Sequence, residues 1–121
     1  MKILNFEESD VWQEARKLAK AVYLLGEKIA NNRDYGLREQ IQRAAVSCMA
    51  NIAEGFDSDS DQQFIQFLGY AKRSASEVQS HLYVALDSDY INQEEFNSVY
   101  TLATNVRKLC SGFIKYLRKS I

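Results

Sequence analysis

No proline occurs in the 121 residues of this chain, and glycine occurs only five times. Turn-rich β architectures need such residues every few positions, because proline presets φ and glycine supplies positive φ at little cost. A chain without these breakers is free to run long helices. Its apolar residues are spaced to match. Four segments repeat apolar side chains at i, i+3, i+4 and i+7, which places one continuous stripe on one helix face.

The stripes run through Val11, Ala15, Leu18, Val22, Leu25 and Ile29; through Leu37, Ile41, Ala44 or Ala45, Cys48 and Ile52; through Phe64, Leu68, Ala71, Ala75, Val78, Leu82 and Ala85; and through Phe96, Val99, Ala103, Val106, Leu109 or Cys110, Phe113 and Leu117. They predict helices over about 10–30, 37–54, 61–87 and 93–118. Asp10 with Gln13, Ser60 with Gln63 and Asn92 with Glu95 read as capping boxes at three of the starts. Gly55 is placed to end the second helix in the left-handed conformation. All connections are short, so successive helices are expected to be antiparallel neighbours. The expected fold is all-α, an up-down-up-down four-helix bundle forming one domain over residues 1–121.

With 46% apolar residues the chain can bury a substantial core. Fifteen basic and 16 acidic residues leave a net charge of −1, which gives no global attraction to nucleic acid or to an anionic membrane. The start "MKILNFEESD" turns acidic before an apolar run develops, so no signal peptide is read. No run reaches the length of a membrane span, and a cytoplasmic location is expected. Cys48 and Cys110 fall within apolar helical pattern and read as buried, reduced thiols, an inter-helix disulfide being the alternative.

No catalytic set, cofactor site or metal site is read. His81 is the only histidine, and Glu77 precedes it by four residues rather than the three of a di-metal helix motif. The two cysteines lack zinc spacing.

The second helix is unusually thin. "RAAVSCMANIAEGF", residues 43–56, is crowded with alanine and serine, yet Arg43, Ser47, Asn51 and Glu54 form a polar edge at spacings of four, four and three. Ser74 and Glu77 form a matching edge on the third helix, and Arg43 is positioned to pair with Glu77. This stripe reads either as a register-fixing hydrogen-bond network, as solvated surface, or as an edge for subunit or ligand contact.

Charge is unevenly spread. After Glu95 there are five basic residues and no acidic ones, whereas Glu54 to Glu95 holds nine acidic and two basic. In an up-down bundle Arg16, Lys17 and Lys20 are expected to approach Lys115, Arg118 and Lys119, with the acidic loop Asp57–Asp61 at the same end. Such a basic side suits phosphates, as on RNA, or the acidic side of a neighbouring copy. Tyr70, Tyr83, Ile65 and Leu24 look surplus to a single core and add to the case for self-association.

The segments "DVWQEARKLAKAVY", "YGLREQIQRAAVSCMANIAEGF" and "FIQFLGYAKRSASEVQSHLYVALDSDYI" resemble the four-helix-bundle family of 23S rRNA intervening-sequence proteins. Trp12 and Ala15, the run from Tyr35 through Ser47, the block Asn51–Gly55, and Ser74 with Glu77 carry the resemblance. It implies a bundle that assembles into a homo-oligomeric ring, a pentamer, without enzymatic activity. It also implies RNA, or a reverse-transcriptase-like protein, as partners, because a related accessory protein of diversity-generating retroelements binds nucleic acid and a reverse transcriptase. Two positions depart from the family pattern. Asp57, Asp59 and Asp61 stand where a basic residue often follows, and Arg73 stands where a glycine usually precedes Ser74.

Overall fold

The computed structural model describes residues 5–119. Residues 1–4, which open the segment read for a signal peptide, and 120–121, the last of the expected domain, lie outside the described residues. A short 3-10 turn, Phe6–Glu8, leads into four helices: α1 over Asp10–Asn31, α2 over Tyr35–Phe56, α3 over Asp61–Asp87 and α4 over Gln93–Arg118. Each packs on the next, and α4 closes against α1. The expected four-helix bundle is therefore the fold, with no strand among the described residues. The contact of α2 with α3 is the most extensive and that of α1 with α4 the least. No described helix is long and apolar enough to cross a membrane.

The stripes fill the centre as their spacing requires. Leu18, Val22 and Ile29 of α1, Ile41 and Ile52 of α2, Leu68, Val78 and Leu82 of α3, and Val106 of α4 are fully buried. Where two candidates were open on α4, Cys110 takes the inner position and Leu109 stays half-buried. Both Ala44 and Ala45 are buried. Cys48 and Cys110 are free thiols at the core, and burial pushes each up to about 12. Phe56, Phe64 and Phe113 plug one end of the bundle, with ring centroids 4.8–5.8 Å apart.

Three helix ends differ from expectation. Ser9 rather than Asp10 caps α1: its Oγ accepts from the Trp12 amide at 3.2 Å and donates to the Phe6 carbonyl at 2.7 Å. Asp10 occupies the first helical turn, and Gln13 turns back to the Glu7 carbonyl instead of completing a box. Ser60 does cap α3, but Gln63 Oε1 accepts from the Asp59 amide, one residue too early for a reciprocal box. Asn92 and Glu95 form the full box at α4.

The third difference is Gly55. It lies inside α2, which continues to Phe56, and no glycine has positive φ. Its role is close approach. A Cβ there would sit 2.6 Å from Phe64 Cδ1. The left-handed ends belong to Arg33, φ 62°, and Asp89, φ 61°. After α1, the Asp34 amide donates to the Ile29 carbonyl and the Arg33 amide to the Ala30 carbonyl. After α3, Tyr90 and Asp89 repeat the pattern onto Ala85 and Leu86. This is the paired 6→1 and 5→2 bonding of the Schellman motif, here made without glycine.

Candidate functional site

The thin second helix brings its polar edge into contact with α3. Ser74 Oγ donates to Ser47 Oγ at 2.9 Å, and Asn51 Nδ2 donates to Ser47 Oγ at 3.0 Å and to the Ser47 carbonyl at 2.9 Å. These three residues form a half-buried inter-helix link. The other three members of the edge do not join it: Arg43, Glu54 and Glu77 are exposed.

The expected Arg43–Glu77 pair does not form. Arg43 stands on the α1 side of α2, beside Tyr23, rather than on the side that meets α3. One helical turn on, His81 Nε2 lies 3.5 Å from Glu77 Oε2, an ion-pair distance when the imidazole is protonated. Arg43 has no acidic partner among the described residues. It lines a surface groove of about 320 Å³ with Glu39 and Gln42, between Tyr23 and Val46, which are 50% and 42% exposed. A second groove of about 500 Å³ continues along α1 and α2 past Gly26 and Arg38. Its walls mix polar and apolar groups, with Glu27, Asn31, Arg38 and Gln42 beside Tyr23 and Ala30.

The two basic groups are not brought together. Asn105 Nδ2 donates to Glu14 Oε2 at 3.2 Å, and Lys28 pairs with Glu95, which fixes the register of α1 on α4. From the Glu14–Asn105 level, Arg16 lies two residues one way and Lys115 ten the other, a separation of about 18 Å along the axis. Lys20 and Lys119 are farther apart still. Arg16 stacks over the Trp12 ring at 5.8 Å, Lys17 pairs with Glu14 at 3.3 Å, and Lys20 is exposed. Lys115, Arg118 and Lys119 are exposed at the end that also carries Glu7, Glu8 and the loop Asp57–Asp61.

One polar cluster escaped the sequence reading. Gln79 is only 5% exposed. Its Nε2 donates to Thr104 Oγ1 at 2.9 Å and to the Tyr100 carbonyl at 3.3 Å, and its Oε1 accepts from Arg107 Nη1 at 3.0 Å. The clue was present: 75, 79 and 82 are as good a core spacing as 75, 78 and 82, and the helix buries both Val78 and Gln79. No group of three metal-ligating side chains occurs among the described residues.

The sequence profile of the 23S rRNA-intervening sequence protein matches residues 7–112, which takes in all of α1, α2 and α3 and most of α4. The chain belongs to that family. A crystal structure similar to this chain is that of a protein of unknown function from the S23 ribosomal protein family of Bacteroides thetaiotaomicron. The two share 27% sequence identity with a TM-score of 0.83, over 87% of this chain and 98% of that one. No curated protein matches the sequence. The family match includes the α2–α3 edge, so the split of its polar residues into an internal link and an outward-facing remainder concerns the motif itself.

Proposed function

We propose that this protein is a non-catalytic homo-oligomer, a ring of about five copies, that acts as a binding scaffold for RNA or for an RNA-associated enzyme such as a reverse-transcriptase-like protein. The observation that supports assembly is Arg43. It is a residue of the family pattern, it has no acidic partner in its own subunit among the described residues, and it sits between exposed Tyr23 and Val46. An interface that covers those two side chains and supplies a carboxylate, with Glu54 and Glu77 the exposed candidates, satisfies all three groups. A head-to-tail contact of this kind closes into a ring when the rotation between copies allows.

The test is the mass of the purified protein by light scattering. The expected value is about five times that of the subunit. Arg43→Glu is expected to yield the single subunit with its helical content intact. A wild-type protein that stays monomeric at high concentration refutes the assembly.

RNA contact needs cations that no carboxylate neutralises, and the exposed Lys115, Arg118 and Lys119 share their end of the bundle with acidic side chains. A structural oligomer with a protein partner is the second reading, favoured by the acidic loop Asp57–Asp61 at the same end. Titration with salt separates the two. RNA affinity falls steeply as salt rises, whereas a protein-only scaffold shows no RNA affinity at any salt.

A further inference from the structure

The seam between α3 and α4 combines cations and aromatic rings with no carboxylate among them. On α3, Lys72, Ser76, Gln79 and Tyr83 follow at spacings of four, three and four. On α4, Tyr100, Thr104, Arg107 and Ser111 repeat those spacings. Each set therefore lies on one helix face. The Gln79–Thr104 hydrogen bond of 2.9 Å and the 6.0 Å approach of the Tyr83 and Tyr100 rings fix the antiparallel register. The same register sets Arg107 level with Ser76 and Ser111 level with Lys72, so the two cations stand about one helical turn apart.

Neither cation has an acidic partner among the described residues, and both are half-buried. Arg107 is held by one hydrogen bond to Gln79, and its Nε has no acceptor. Lys72 lies near enough to Cys110 for its charge to act on the thiol. Between Gln62 and Leu86 the only carboxylate is Glu77, which stands beside His81, and α4 has none after Glu95. The local field is thus positive although the chain carries −1 overall. A half-buried cation is poorly screened, so it attracts an oxyanion more strongly than a surface lysine does.

At the other end of the strip Tyr83 is 50% exposed. Its inner edge is fixed by Phe96, 4.9 Å away, and by Tyr100. It offers a ring whose position is already set, at little cost in ordering. Cations that follow a backbone, beside a rigid aromatic face, are the elements that bind single-stranded nucleic acid without sequence preference.

We propose that the α3–α4 seam binds single-stranded RNA, with backbone phosphates on Lys72 and Arg107 and a base stacked on Tyr83. This rests on the RNA-scaffold reading and gives its contact a place at this seam, away from the cations at the end of α4.

The test is fluorescence anisotropy of a labelled oligouridine of about 12 nucleotides with the full chain, between about 50 and 200 mM salt. Lys72→Ala and Arg107→Gln are each expected to weaken binding about five- to tenfold and to lower the log–log salt slope by about 0.7. Tyr83→Ser is expected to weaken binding at least about fivefold with the slope unchanged. The triple variant Lys115→Ala, Arg118→Ala, Lys119→Ala is expected to bind within about twofold of wild type. Arg107→Gln disturbs the Gln79 cluster, so Lys72→Ala and Tyr83→Ser decide the matter if that variant fails to fold. RNA binding that is insensitive to those two, or lost only in the triple variant, overturns the seam while leaving the RNA reading intact. A wild-type protein with no RNA affinity at low salt, including one that captures only acidic peptide, overturns both.

Discussion

Replacing Gly55 with alanine tests the claim that α2 is thin because its neighbour needs the space. The new Cβ would meet Phe64 Cδ1 at 2.6 Å and Cε1 at 2.8 Å, with Phe67 Cβ at 3.4 Å. Ordinary carbon contacts lie at about 3.5–4.0 Å, so the Phe64 ring must retreat by about 1 Å. It has little room to do so, because Phe56 and Phe113 flank it at 4.8 and 4.9 Å. Overpacking of this kind costs about 1–3 kcal/mol. Better helix propensity returns about 1 kcal/mol. Taking the clash at about 2.5 kcal/mol, the net loss is about 1.5 kcal/mol, or about 6 °C in Tm for a domain of this size. Gly112 is the internal control. It also lies in a helix, but beyond its chain neighbours and its own helix backbone no heavy atom stands within 4 Å of its added Cβ. Gly112→Ala is expected to gain about 1 kcal/mol, near 4 °C. At Gly26 the nearest atom is the mobile end of Gln42, which can swing aside, so Gly26→Ala is expected to lie close to wild type. Melting is followed by circular dichroism at one fixed protein concentration, since assembly also shifts Tm. A Gly55→Ala protein that gains as much stability as Gly112→Ala would refute the packing argument, because that gain is what propensity alone predicts.

Three further outcomes are expected. Arg33→Gly should stabilise the protein by about 0.5–1 kcal/mol by relieving a left-handed β-carbon, and by more than Asp89→Gly, since aspartate tolerates that conformation; urea midpoints compare them. Lys28 and the Asn92 amide hold the Glu95 carboxyl below the usual carboxylate range, so its contribution is present above about pH 4.3 and is lost as pH falls through the depressed folded value. The urea midpoint of Glu95→Gln should therefore lie below wild type at pH 7 and converge with it towards pH 3. Because burial pushes Cys48 and Cys110 up to about 12, neither should react with an aromatic disulfide reagent at pH 8 in the native protein, and labelling should follow the rate of global unfolding.

The fold was legible because the four apolar stripes are long and interrupted only at short polar turns. Helix interiors obey one period, and that period decided the core. The ends were less legible, since several side chains compete for each free amide. Ser9 outcompeted Asp10 because its hydroxyl also donates back to Phe6. Gly55 was misassigned because glycine near a helix end serves two needs, positive φ and close approach, and only the position of Phe64 tells them apart. The Ser47–Asn51–Ser74 link is one of the arrangements that spacing along each helix allowed, but the Arg43–Glu77 pair depended on which neighbour of α2 the arginine leans towards, which spacing does not set. The same limit explains the basic groups on α1 and α4: chain direction put them at one end, and register separated them by several turns. Gln79 stayed hidden because two adjacent residues fit one stripe equally well and the apolar one was preferred.

The unequal packing of the four helices bears on how the molecule opens. Clasped by its serines and lacking bulk between them, the α2–α3 pair forms a spine, while the seam where the last helix returns to the first is thinly sewn and flanked by surface grooves. Transient loosening should begin along that return seam, with α1 or α4 peeling outward. In hydrogen exchange the amides around Cys48 and Ala75 should then be the last to give way, well after those of α1.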